Sequence, residues 1–206
     1  LAQMVPFNGL VLERKYMKTD PYNNFAFDLK NCYLLFQGAH CENVAYTFYS
    51  FHNAHVFDSS NISNSSLCYD MIHASHCSHC VGCYNTFESV NCYFTRDCVN
   101  CHDCFGCTNL RNKKYCWLNK QLTKDAYEAK LKTYDLGGWA EYQAAKKEAQ
   151  EFWRTQSPKP RYIEMSPDST GNYIFESHNC QDSFHSSHAE NCRFMFLCNG
   201  APIKDS

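Results

Sequence analysis

The sequence predicts a mainly β fold, a β-solenoid or β-helix with a three-residue period and about 18 residues per coil, interrupted by one α-helical hairpin. Three observations lead there. Up to Cys116 every cysteine falls in one phase of a three-residue period: Cys32, Cys41, Cys68, Cys77, Cys80, Cys83, Cys92, Cys98, Cys101, Cys104, Cys107 and Cys116. Chance would place all of them in one phase about once in 100,000 trials. The neighbours on either side keep the same period in different chemistry, and after Cys116 the period gives way to helical spacing.

Residues 1–23 read as a lead-in or linker, and 24–116 as the Cys-rich solenoid. In that stretch the cysteine phase is otherwise filled by small or apolar residues such as Ala26, Leu35, Val44, Ile62, Met71 and Thr86, with Asn53 and Lys113 as exceptions. The preceding residue is usually Asn, Asp, His or Gly, the types that best tolerate positive φ. The following one is often large, as in Tyr33, Phe51, Tyr69, Phe87 and Phe105. A period of three fits neither the 3.6 of an α-helix nor the 2 of a flat strand, so the backbone must bend at short regular intervals. An 18-residue coil would stack those five aromatics in one column, and Cys32, Ser50, Cys68, Thr86 and Cys104 in another. A bundle of polyproline-II-like strands, with three residues per turn, is the alternative architecture.

Residues 117–157 read as a helical hairpin. Thr123 suits an N-cap with Asp125 in the first turn, and Tyr127, Leu131 and Tyr134 follow at helical spacing. Gly137 and Gly138 stop this helix; a second is predicted from about Trp139 to Trp153 and ends before Pro158 and Pro160. Over 158–206 the period returns as a second solenoid segment, short or cut off by the end of the chain. From Asn172, twenty-five residues align without a gap on those from Asn24, with nine identities that include Asn31 with Asn179, Cys32 with Cys180 and Asn43 with Asn191.

The NCY-type triplets, the junction NLRNKKYCWLNKQLTKDAYEAKL at 109–131 and the return through GNYIFESHNC at 171–180 resemble uncharacterised Cys-rich repeat proteins of candidate-phyla bacteria. In that family, zinc-ribbon modules with C-P-x-C ligands usually precede the repeats, and the opening LAQMVPFNGL is similar to the linker before them. The resemblance thus implies a missing upstream domain that carries any zinc or nucleic-acid role, and it supplies no activity.

A net charge of -2 and a pI near 6.6 give no basic footprint for nucleic acid or an anionic membrane, and no run of eighteen apolar residues exists. Fifteen cysteines is an odd number, which favours reduced thiols in a cytoplasmic location or a metal role for some of them. The candidate metal ligands are Cys98, Cys101, Cys104 and Cys107, then Cys77, Cys80 and Cys83, because CxxC spacing suits zinc or an iron-sulfur cluster. The competing account makes the same residues small buried hydrophobes. Cys98 to His102 spells a CxxCH haem signature, as triplet cysteines do whenever a histidine follows. Eight of the ten histidines share the turn slot, which points to backbone conformation rather than to chemistry. No phosphate loop, triad or carboxylate pair marks an enzyme. The function expected is a non-enzymatic structural or interaction scaffold, without cofactor, that binds a protein partner or its own copies; zinc or iron binding, or redox use of the thiols, is the alternative.

Overall fold

The computed structural model describes residues 22–193, 196–198 and 203–204, so most of the expected lead-in lies outside the described residues. The described chain is mainly β and divides into two compact units between Ser157 and Pro158. No described helix is long and apolar enough to cross a membrane.

The first unit contains β1 (Asn24–Lys30), β2 (Tyr33–Phe51), β3 (Ala54–Ser63), β4 (Ser66–Tyr69), β5 (Ile72–Ser75), β6 (Tyr84–Phe87), β7 (Val90–Tyr93), β8 (His102–Phe105) and β9 (Lys114–Trp117). Consecutive ladders among these strands are parallel and join residues twelve apart, as in Ala26↔Gly38, Val44↔Val56, Ile62↔Ala74, Cys92↔Cys104 and Cys104↔Cys116. Single bridges such as Tyr69↔Val81 and Val81↔Tyr93 keep that step between the strands. The expected repeat of about 18 residues is therefore corrected to twelve. Any multiple of three holds the cysteines in phase, and packing across the interior selects among the multiples. Twelve residues bring four inward side chains together, close enough that the thiols of Cys41, Cys77, Cys83 and Cys92 reach the carbonyl nine residues on, at 3.2–3.4 Å. Six small side chains around a wider layer would leave a void that close-packed interiors avoid.

The inward positions form four columns. One runs Cys32, Val44, Val56, Cys68, Cys80, Cys92, Cys104, Cys116, and every member is at most 2 % exposed. The residue before each inward one is left-handed: φ is +53° at Asn31, +54° at His40 and His76, and +53° at Asn91. Phe25, Leu34, Tyr46, Leu67 and Phe94 adopt the same conformation, so the position and not the residue type imposes it. A polyproline-II strand keeps φ near −75° throughout, which removes that alternative.

Backbone pairing follows from the bend. The left-handed residue donates its N–H to the carbonyl thirteen positions earlier (His52 to Ala39 and Gly106 to Tyr93, both 2.9 Å), and the residue after the inward one donates eleven positions ahead (Glu42 to Asn53, 2.9 Å). Several inward N–H groups turn instead to the inward side chain twelve residues before: Met71 to Ser59 Oγ, Cys77 to Ser65 Oγ, Thr95 to Cys83 Sγ and Cys101 to Ser89 Oγ. Asn53, the polar exception in the inward phase, bonds Ser50 Oγ, the Ile62 carbonyl and the Ser65 N–H, all at 2.8–2.9 Å.

At Leu118 and Asn119 two successive residues have positive φ, the signature of a two-residue hairpin turn. The chain reverses into β10 (Lys120–Gln121), which pairs antiparallel with β9 and covers its edge. Thr123 then caps α1 (Lys124–Leu131) by accepting from the Ala126 N–H, and α2 (Trp139–Arg154) starts after Gly138.

The second unit comprises β11 (Ile163–Glu164), β12 (Gly171–Phe175), β13 (Ser183–Ser187), β14 (Ala189–Glu190), β15 (Phe196–Cys198) and β16 (Ile203–Lys204). Its ladders are parallel as well, twelve residues apart from β12 to β13 to β15. Ile174, Ser177, Cys180, Ser183, Ser186, Ala189 and Cys192 are buried at every third position. The aligned asparagines behave alike: Asn31 donates to Asn43 at 3.1 Å, and Asn179 to Asn191 at 2.9 Å.

Candidate interaction surface and buried thiols

All seven cysteines expected as metal ligands lie in the interior of the first unit, at most 2 % exposed and outside any disulfide. Cys98, Cys101, Cys104 and Cys107 occupy the four inward positions of a single twelve-residue layer. The pairing step places Cys77, Cys80 and Cys83 twenty-four residues, or two ladder steps, from Cys101, Cys104 and Cys107. At about 4.8 Å per step the two sets are about 10 Å apart, with Thr86, Ser89, Cys92 and Thr95 between them. They are not neighbouring halves of one site. Among the described residues no three His, Cys, Asp or Glu side chains are grouped as a metal would need.

Each thiol of the quartet donates to a backbone carbonyl two residues earlier at 3.3–3.5 Å, or to one nine residues later. Contact with Cys101 and then burial push Cys98 up; contact with Cys101 and then Cys107 pushes Cys104 up. Cys101 is drawn down because Cys104 and Cys98 can both point a proton at its sulfur. Cys41 and Cys116, at the fringes of the cysteine columns, are raised mainly by burial.

The histidines of the turn slot, His40, His52, His55, His73, His76, His79 and His188, have φ between +52° and +55°, while the side chain of His185 lies outside the described residues. His40 bonds Asp28 at 2.5 Å and stacks on His52 with ring centroids 4.6 Å apart. His102 falls in β8 directly before the left-handed Asp103 (φ +51°) and has no positive φ of its own.

The large residues do not form the column that an 18-residue repeat would give. Tyr33, Ala45, Phe57, Tyr69, Val81, Tyr93, Phe105 and Trp117 are in register, whereas Phe51 and Phe87 belong to another column with Ser63 and Ser75. The helices cover the later half of the first column. Phe105 stacks on Trp117 at 3.9 Å, Tyr134 packs on both, and Lys130 sits 4.4 Å from the Trp117 ring centre. Tyr142 packs on Tyr69 and Phe94, and its hydroxyl and the Lys146 ammonium both bond Asp70. Burial and that bond to Asp70 push the Tyr142 hydroxyl well up.

Among the described residues no helix lies over the earlier half of the same surface. There a groove of about 510 Å³ runs between Leu34, Tyr46, Asp58 and, at the end shared with the seat of α2, Asp70 on one side and Phe36, Phe48 and Ile72 on the other. Tyr46 is 56 % exposed and Phe48 53 %. Phe36 and Phe48 belong to the large-residue phase legible in the sequence, whereas Leu34 and Tyr46 put large side chains in the slot more often held by Asn, Asp, His and Gly.

No protein-family model and no curated protein matches this chain.

Proposed function

We propose that the chain is a non-enzymatic scaffold: a β-solenoid of twelve-residue coils whose cysteines are core residues and whose exposed face binds a protein partner. The observation that carries this reading is the engagement of the thiols. Each described inward Cys fills a small buried slot, gives its proton to a backbone carbonyl and, as at Cys83, can receive a backbone N–H. Sulfur is small and apolar enough for the interior, and still serves as weak donor and acceptor. The arrangement makes the thiols part of the hydrogen-bonding of the fold, and the chemistry left for function is on the surface.

A second reading, zinc or iron bound by Cys98, Cys101, Cys104 and Cys107, draws support from the mutual contact of those four thiols within one coil. Elemental analysis of chain purified under reducing conditions, with thiol titration before and after denaturation, separates the two. The scaffold reading expects metal far below one atom per chain, slow reaction of the native protein and about fifteen thiols once it is unfolded. Stoichiometric metal, with thiols masked until a chelator is added, would replace it with the second reading.

A further inference from the structure

We propose that the groove beside α2 is the docking site for an amphipathic partner helix that carries an aromatic residue and, one turn later, a lysine. The inference rests on the scaffold reading and names its partner by chemistry.

The chain already demonstrates how this surface receives a helix. α2 has sixteen residues, about 24 Å at 1.5 Å per residue, and it runs along the stacking direction of the layers. Its Tyr142 and Lys146 meet at Asp70, Ala149 approaches Gly106, and the Trp153 indole N–H donates to the Gly106 carbonyl at 3.1 Å. Asp70, Gly82, Phe94 and Gly106 succeed one another in steps of twelve along one column, so α2 follows that column away from Asp70. In the opposite direction the column continues past the start of α2 as Asp58, Tyr46 and Leu34, and these residues form one wall of the open groove.

The composition of the groove repeats that of the occupied seat. Asp58 stands one layer before Asp70, and the Tyr69 hydroxyl lies against it much as Tyr142 lies against Asp70. Among the described residues, however, no cation pairs with Asp58, whereas Asp70 has Lys146. Phe36, Phe48, Tyr46 and Ile72 provide apolar surface, each at least 41 % exposed. The three layers from Asp58 to Leu34 offer about 10–15 Å, room for two to three helical turns. A helix with the Tyr-x-x-x-Lys spacing of α2 would set its ring on the Tyr46 and Phe48 side and its ammonium on Asp58.

The test uses the full chain and a fluorescein-labelled peptide of residues 139–154, followed by fluorescence anisotropy. Saturable binding is expected, weakened at least tenfold by Asp58→Asn, by Tyr46→Ser and by Lys146→Ala in the peptide. A swapped pair, Asp58→Lys in the chain with Lys146→Glu in the peptide, should restore it, which guards against a variant that merely misfolds. Absence of binding at 1 mM peptide would overturn the proposal (a bound far weaker than typical helix-in-groove recognition). So would binding that ignores Asp58 and responds to Gly106→Ala, because that places the peptide in the seat of α2. A chain dimer that Asp58→Asn dissolves, seen by sedimentation equilibrium, would assign the groove to a second copy instead. None of these outcomes alters the metal and thiol measurements, so the scaffold reading stands or falls separately.

Discussion

At the scale of single residues, the inward slot asks for three properties at once: small volume, an apolar body and one atom able to accept a backbone N–H. Cys, Ser, Thr and Asn meet that demand in different proportions, and they recur at Cys83, Ser59, Thr95 and Asn53. Cys83 accepts from the Thr95 N–H at 3.5 Å and from its hydroxyl at 3.2 Å, while its own proton reaches the Cys92 carbonyl at 3.3 Å. Cys83→Ala removes acceptor and donor together and should cost about 1–3 kcal/mol in urea unfolding, whereas Cys83→Ser, which copies Ser59 in the same column, should cost under about 1 kcal/mol. Equal losses would make volume, rather than hydrogen bonding, the reason for cysteine. The left-handed slot gives a test of the opposite sign. Leu67 holds φ +54° with 47 % of its surface exposed, so packing offsets only part of its strain. Leu67→Asn should stabilise the chain by about 1 kcal/mol, read as a higher urea midpoint, since asparagine enters this conformation at lower cost.

At the scale of elements, the hairpin is a brace whose seat is cut by glycine. A Cβ on Gly106 would come 2.4 Å from Leu118 Cδ2 and 3.5 Å from the Ala149 Cβ, and the residue has φ +65°. Gly106→Ala therefore combines a strained backbone with overpacking beneath α2 and should destabilise by about 2 kcal/mol or more, with faster proteolysis within 124–154 as the local readout. Both helices and the Thr123 cap were legible in the sequence, because capping and periodicity are local. Their seat was not. A three-residue period fixes which residues face inward and which are left-handed, but it fits repeats of twelve and eighteen equally well. The choice between them depends on contacts between residues nine and twelve apart. The groove was hidden by the same ambiguity: with the wrong repeat, Tyr46 and Asp58 fall in different columns, and the match between Asp58 and Asp70 does not appear.

At the scale of the whole molecule, stacked layers concentrate thiols in a small dry volume, and stability must then depend on their protonation. An unfolded chain releases thiol protons near pH 8.5, whereas in the folded chain burial raises Cys41, and contacts with neighbouring thiols followed by burial raise Cys98. The folded state thus holds more protons than the unfolded one above that pH. The sign follows: the stabilisation is complete below about pH 8.5 and is lost as pH rises toward the folded values, by about 1.4 kcal/mol per pH unit for each raised thiol. Cys68, Cys92 and Cys101 are instead drawn down, each first by the proton of a neighbouring thiol (Cys80 for Cys68, Cys104 for Cys92 and Cys101), so their contribution is complete above about pH 8.5 and takes no part in the fall beyond it. Above pH 10 the tyrosines under the hairpin extend the decline. Burial, then the bond to Glu148, pushes Tyr134 up to about 12, and burial raises Tyr127 and Tyr142 further. Urea midpoints measured under reductant should fall from about pH 8.5 to 10, and Cys41→Ser should make that fall shallower by one thiol's share. A midpoint that stays level through pH 10 would mean that the interior thiols ionise as readily folded as unfolded, which a dry, close-packed column does not permit.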